Sequence, residues 1–401
     1  MERRLMEENV LKAIDAQGLI ELTQRLIQFQ TINPPADYSE IAPYLQQVLS
    51  DTGMETHILE GTPGKKNTFA LWRGASEKKV LLLSGHTDVV PAGDLNQWEH
   101  APFKGEIHND WLWGRGAVDM TAAIAAQNFA AKSVIESKIS LSSSFMLGFT
   151  VDDETAGQWG MKYAIEKGLS SIGWPKPTAH VLGEANDLNL TGSFKGRLWV
   201  RVSTKGKSAH GGEPGLGVNA IDRMIRLIER FRTITSLTHP LMGRDTLNLG
   251  ILQGGQKVNI VPDTCTAHFD MRMCAPGTAD GYEKKMKDMI ADLKKEDLTF
   301  EASEFEIYEK RDPIEMDPSH PVLDTFKETI RSVSQKEPQY FGSLSAGDLY
   351  HTLKNGIPGA WIGPGDPKLL HQTNERIRVE DIIEAAKIYA LVILRYCTAL
   401  C

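Results

Sequence analysis

The stretch LLLSGHTD at Leu81–Asp88, read together with GRGAVDM at Gly114–Met120, decides the fold of this chain. Val80–Leu83 is a short apolar run that ends at Ser84–Gly85, the pattern of a buried strand running into a loop. His86 and Asp88 follow two residues apart, so an extended backbone puts both side chains on one side. An imidazole and a carboxylate leaving the carboxyl end of a buried strand stand where an open α/β sheet places its chemistry. An isolated His-x-Asp more often only closes a strand, so the rest of the chain has to decide.

Working outward, Leu11–Ile27 is apolar at helical spacing and stops before Asn33-Pro34-Pro35, and Glu40–Thr52 reads as a second helix closing near Gly53. Asn67–Leu71, Val80–Leu83, Ser140–Phe149 and His180–Gly183 read as strands, with helices at Met120–Val134 and Met161–Lys167 between them. That alternation predicts a mostly parallel sheet with both faces covered. The order then changes: strand Phe194–Thr204, helix Val218–Thr233, strands Thr246–Leu252 and Cys265–Met273, helix Tyr282–Leu293, strand Leu298–Tyr308. This β-α-β-β-α-β order is ferredoxin-like. After Ile314 the first pattern resumes with a helix at His320–Ser334, a strand near Ala360–Ile362 and a final helix at Val379–Tyr396. The expected fold is therefore α/β, a mostly parallel-sheet domain over 1–192 and 310–401 interrupted by an inserted ferredoxin-like α+β domain over 193–309.

At 401 residues the chain exceeds a single ordinary core, which agrees with two domains. Its 41% hydrophobic and 24% charged content is that of a soluble globular protein. The net charge of −8 argues against a nucleic-acid partner, because no basic excess exists to release phosphate counterions. MERRLMEENV at the start lacks a long apolar core, so neither a signal peptide nor a membrane partner is expected. Cys265, Cys274, Cys397 and Cys401 show no C-x-x-C spacing and read as free thiols in a reducing compartment, which predicts a cytoplasmic protein. GPGDP at Gly363–Pro367 lacks the P-loop spacing and GRGAVD lacks the third Rossmann glycine, so nucleotide binding is set aside.

Five ligand-competent side chains fall at strand ends or loops of the first domain: His86, Asp119, Glu154, Glu184 and His371. Two imidazoles and three carboxylates, with no thiolate, suit Zn²⁺ and also accommodate Co²⁺ or Mn²⁺. Five residues are too few for two separate tetrahedral sites unless one carboxylate bridges, the arrangement of two-metal hydrolases. Asp88 stands where it can accept the far ring N–H of His86 and fix its tautomer.

Here the sequence resembles the M20 metallopeptidases and amidohydrolases, of the acetylornithine deacetylase, succinyl-diaminopimelate desuccinylase, aminoacylase-1 and carboxypeptidase G2 type. The matching runs are SGHTDVVPAG (Ser84–Gly93), WEHAPFKGEI (Trp98–Ile107), LWGRGAVDM (Leu112–Met120), TVDDETAG (Thr150–Gly157), GEAND (Gly183–Asp187), GKSAHGGEPGLGVNAI (Gly206–Ile221), GGQKVNIVPDTCTAHFDMR (Gly254–Arg272) and HQTNE (His371–Glu375). They cover nearly the whole chain in order.

The resemblance implies that two divalent metal ions, Zn²⁺ first among the choices, are bridged by Asp119, with His86 and Glu184 on one and Glu154 and His371 on the other. It implies a general base at position 153, where the family carries Glu and this chain carries Asp153. It further implies that His210 donates to the developing oxyanion, from the partner subunit in dimeric members, and that Asn259 and Arg272 bind the substrate's amide and α-carboxylate. The inserted domain would then serve as lid and dimerisation domain. The expected activity is hydrolysis of the amide of an N-acyl-amino acid, a small substrate bearing a carboxylate; HQTNE and GPGDP resemble the deacetylase and desuccinylase branch more than the carboxypeptidase branch. The alternatives are a dipeptidase or carboxypeptidase of the same fold, or a catalytically silent binding homologue, for which Asp153 is the one argument.

Overall fold

Seven consecutive buried positions, Val80–His86, form the central strand of the larger sheet. Ser144–Thr150 and Ala179–Ala185 pair with it in parallel on either side, and Gly359–Gly363 runs parallel beyond Ala179–Ala185. Every residue of these four strands is buried, as a parallel sheet covered on both faces requires. Alternate residues serve alternate faces. Leu81, Leu83, Phe145 and Leu147 pack into a cluster with the helices Ala122–Glu136, Pro321–Ser334 and Val379–Cys397, whereas Val80, Leu82 and Met146 pack with Met161, Leu169 and Trp174. The sheet departs from the expected mostly parallel one at its flanks, where Glu55–Glu60, Lys66–Trp72 and Leu190–Phe194 pair antiparallel. It is a mixed sheet with a parallel centre.

The structure, a computed structural model, describes residues 2–155, 157–344 and 347–398. It divides into two units: the first runs from the N-terminus to Gly192 and resumes over Met316–Phe341 and from Gly347, and the second holds Ser193–Glu315 with the short segment starting at Gly342. The second unit runs to Glu315, and its last long strand spans Ala302–Arg311. Its four strands are antiparallel in the order Thr246–Gly254, Thr264–Met273, Gly196–Lys205, Ala302–Arg311, the ferredoxin-like arrangement. Helices Ala220–Phe231 and Ala279–Glu296 cover one face through Leu198, Val200, Val202, Met224, Leu227 and Met286.

The single helix expected over Leu11–Ile27 is two, Glu2–Lys12 and Ala16–Ile27. Asp15 breaks the run: its carboxylate accepts from Gly18 N at 3.0 Å and caps the second helix. Cys265, Cys274 and Cys397 are buried free thiols, and Cys401 lies outside the described residues. Among the described residues no helix is long and apolar enough to cross a membrane.

His180 ties the sheet to the helix Leu349–Lys354 through two hydroxyls, with Nε2 2.6 Å from Ser84 Oγ and Nδ1 2.8 Å from Thr352 Oγ1. It is fully buried, and burial pushes its pKa down to about 3. A depressed imidazole pKa means that the unfolded chain binds the extra proton as pH falls below about 6.5, so folding loses stability toward pH 3. In metal-stripped protein, urea unfolding of His180→Gln should show a shallower decline between pH 7 and 5 than the parent, the difference approaching about 1.4 kcal/mol per pH unit. Parallel curves for the two proteins would remove His180 from the account.

Candidate metal centre

The carboxyl ends of the parallel strands deliver donors to one place in the first unit. Asp119 stands between two imidazoles: its Oδ1 is 2.9 Å from His86 Nε2 and its Oδ2 is 3.0 Å from His371 Nε2. Glu184 Oε1 approaches His86 Nε2 at 3.2 Å, and Glu154 Oε1 approaches His371 Nε2 at 3.3 Å. All five residues expected from the sequence therefore meet, as two triads, His86–Asp119–Glu184 and Asp119–Glu154–His371, that share Asp119.

Local backbone explains how each donor is aimed. Gly116 takes φ 85, a left-handed turn that costs glycine least, and the chain leaves helical geometry at Asp119 (φ −123, ψ 84) before the helix Ala122–Glu136 begins. The Asp119–Met120 peptide is cis. Glu375, four residues past His371, gathers this loop: its carboxylate accepts from the backbone N–H groups of Gly116, Val118 and Asp119 and from Arg115 Nη1 at 2.5 Å. The following helix comes close to the sheet because its first turns are small; a Cβ on Gly183 would lie 2.6 Å from Ala123 Cβ.

The turn carrying Asp153 and Glu154 is clamped from two sides. Asp88 accepts from Asp153 N at 3.3 Å, Glu154 N at 3.1 Å and the Asn33 amide at 2.8 Å. The far ring nitrogen of His86 does not meet the Asp88 carboxylate as expected. Its Nδ1 is 2.9 Å from the Asp88 backbone carbonyl, with the nearer carboxylate oxygen at 3.8 Å, because that carboxylate is already engaged by the turn. The carbonyl fixes the same tautomer, leaving Nε2 facing Asp119. Asp152 takes φ 73 and turns outward to Lys65 at 3.2 Å.

Asp348, outside the residues expected at the site, is 1% exposed, accepts from Thr150 Oγ1, and is pushed well above the usual carboxylate range by burial and by the charge of Asp153. Gly347 lies against Asp153, a Cβ there falling 3.5 Å from Oδ1. A Gly-Asp pair inside SLSAGD was the only signal available.

Burial opposes charge throughout this cluster. It pushes Glu184 up to about 8 and Glu154 up to about 7, with Asp119's charge adding to both. The neighbouring carboxylates of Asp119 and Glu154 hold His371 up at about 10, and Asp119 and Glu184 outweigh burial to hold His86 well above its ordinary value. Glu154 Oε1 is buried and accepts no hydrogen bond. Two buried carboxylates, Asp119 and Glu184, and the buried Oε1 of Glu154 face two imidazoles, a donor set that fits divalent cations.

His210, Asn259 and Arg272 lie in the second unit. His210 and Asn259 are both exposed on adjoining loops, linked by Gly211 N to Asn259 O at 2.9 Å. Arg272 makes a two-point pair with Asp270, at 2.8 and 3.1 Å.

Comparison with known proteins agrees with this geometry. Residues 82–395 match peptidase family M20/M25/M40. The chain is 26% identical over 407 residues to the N-formyl-4-amino-5-aminomethyl-2-methylpyrimidine deformylase of Bacillus subtilis, covering 95% of each chain. It is 26% identical to the succinyl-diaminopimelate desuccinylase of Paracoccus denitrificans, covering 94% of this chain and 97% of the relative. It is 27% identical to the acetylornithine deacetylase of Vibrio atlanticus, covering 95% and 99%. The crystal structure of a tripeptidase from Staphylococcus aureus superposes with a TM-score of 0.80 at 22% identity, covering 96% of this chain and 99% of that one. Family match, fold and convergent donors lead to one assignment: the chain belongs to the M20 family of metal-dependent peptidases and amidohydrolases.

Proposed function

We propose that this protein hydrolyses the amide of an N-acyl-amino acid, with two divalent cations, Zn²⁺ in the first instance and Co²⁺ or Mn²⁺ as alternates, sharing Asp119. The observation that carries the reading is that Asp119 presents one oxygen to each imidazole. His86 and Glu184 would complete the grip on one ion, and Glu154 and His371 on the other. When bound, such a pair supplies Lewis acidity to the amide carbonyl and lowers the pKa of water. The choice of an acyl-amino acid rests on relatives named as a succinyl-diaminopimelate desuccinylase and an acetylornithine deacetylase, while the deformylase relative, named for a pyrimidine, supports only removal of an N-acyl group.

The residues of this chain divide the remaining work. Asp153 takes a proton from the attacking water; as the C–N bond breaks it passes that proton to the departing amine nitrogen. Asp88 is a positioning residue, since its carboxylate holds the N–H groups of Asp153 and Glu154. His210 Nδ1 accepts from Gly212 N at 3.1 Å, which leaves Nε2 as the protonated nitrogen, free to donate to a developing oxyanion. Asn259 would bond the substrate amide, and Arg272 would exchange its Asp270 partner for the substrate carboxylate.

A homodimer is part of the reading, with the second copy meeting the free edge strand Thr246–Gly254, where Ile251 and Leu252 stay about half exposed. The three buried free thiols accord with a reducing, cytoplasmic setting.

The central experiment is metal analysis followed by a panel of N-formyl-, N-acetyl- and N-succinyl-amino acids against dipeptides. The expected result is about two divalent ions per chain and turnover of the acyl substrates that chelation abolishes and metal restores. Turnover of dipeptides alone would replace this reading with the dipeptidase one. Metal binding without turnover of any substrate would support the silent homologue.

Asp153→Asn should lower kcat by about 10²–10⁴ while leaving metal content unchanged, the loss typical of a missing general base. A kcat within a few-fold of the parent would transfer the role to another group. His210→Ala should lower kcat by about 10²–10³ with metal content intact, and a rate equal to the parent's would take it out of the site.

A further inference from the structure

Away from that centre, two imidazoles and a carboxylate meet on the small three-stranded sheet formed by Glu106–His108, Trp111–Trp113 and Arg376–Arg378. The rings of His100 and His108 stack with centroids 3.7 Å apart and planes 12° from parallel. Glu106 Oε2 lies 3.4 Å from His108 Nε2 and 3.9 Å from His100 Nδ1, while its other oxygen lies 3.5 Å from Lys104 Nζ. One donor atom from each of His100, Glu106 and His108 falls within 4.8 Å of the other two. We propose that His100, Glu106 and His108 form a separate surface site for a transition-metal dication, with Zn²⁺ as the ion it takes.

Donor chemistry selects the ion class. Two imidazole nitrogens and one carboxylate oxygen are a zinc-type set, whereas Mg²⁺ and Ca²⁺ require mostly oxygen. Spacing agrees. Tetrahedral bonds of about 2.1 Å place neighbouring donor atoms about 3.4 Å apart. The Glu106–His108 separation already has that value, and His100 needs to close by only about half an ångström from 3.9 Å.

Parallel rings aim their lone pairs side by side, so one ring has to tilt for both to converge. His108 has the room, its side chain being 43% exposed. His100 is the steadier partner, 25% exposed and edge-on to Trp113 at 4.6 Å. Lys104 pairs with the Glu106 oxygen that points away from the imidazoles, so Oε2 stays available while the nearby ammonium weakens the site relative to the buried centre. Water would fill the fourth position.

An ion held here would pin the turn at His100 to the edge of the three-stranded sheet. The opposite edge strand, Arg376–Arg378, leaves directly from the His371–Glu375 loop, and Arg376 lies 4.5 Å from the Trp113 ring. Both edges therefore rest on Trp113, and the ion would stiffen the sheet from which the His371 loop departs.

The inference is independent of the reaction proposed above, and zinc uptake tests it. Holoprotein dialysed against micromolar Zn²⁺ should hold one more zinc ion per chain than His108→Ala or Glu106→Gln treated alike. The same zinc should raise the melting temperature of the parent and leave that of both variants unmoved. Activity at trace zinc should be equal in all three, since neither residue belongs to the catalytic centre; this equality also shows that the variants fold. Equal zinc uptake by parent and both variants would overturn the proposal.

Discussion

One buried carboxylate with a different imidazole on each oxygen is the constraint on which the first unit depends. Asp119 satisfies it only if the end of Val80–His86, the loop after Gly114 and the loop at His371 are held together so that its oxygens lie 2.9 and 3.0 Å from the two ring nitrogens. Glu375 supplies that registration. By accepting three backbone N–H groups of the Asp119 loop while sitting four residues after His371, it joins two segments more than 250 positions apart. Arg115 adds a second tie, reaching from the same loop to Glu375. A buried pair of this kind costs about 3–5 kcal/mol when one partner is removed, so it resists the drift that an isolated loop would show.

A second tier of carboxylates does for Glu154 what Glu375 does for Asp119. Asp88 and Asp152 grip the turn at Asp153 and Glu154 from opposite sides, one through backbone N–H groups and the other through Lys65 and Thr155. Asp88 spends its side chain on this turn, which is why the backbone carbonyl and not the carboxylate orients His86. The acids near the centre thus fall into two kinds, those presented to the imidazoles and those that saturate their valence on the chain.

How much of this was legible varies with the physics behind each feature. The convergence of His86, Glu184 and Glu154 could be read because parallel strands align their carboxyl ends, so similar positions along different strands become neighbours. His371 was readable only through its motif, since it sits in a loop in the left-handed region at φ 61 with no strand to place it. The Asp15 break was invisible to periodicity: the apolar spacing carries through it, and a side-chain cap outweighs that spacing locally. The antiparallel flanks of the sheet were hidden for a related reason, since Glu55–Glu60 has one fully buried residue and shows almost no apolar signal. The contacts of Asp348 and Glu375 were not legible because they are made with residues far away in sequence, and no local pattern encodes such a contact.

The position of Asp153 follows from the same division. Its backbone is anchored to Asp88, and its side chain faces Gly347 and the buried Asp348. As the proposed general base, Asp153 reaches one methylene less far than the Glu that the resemblance implies there, so the role would depend on the turn being held where the short reach suffices. The double clamp on residues 152–154 provides that rigidity. In the role proposed for Asp153, the stiffness of the turn would offset the shorter side chain, since misplacement of about 1 Å is the error such stiffness would exclude.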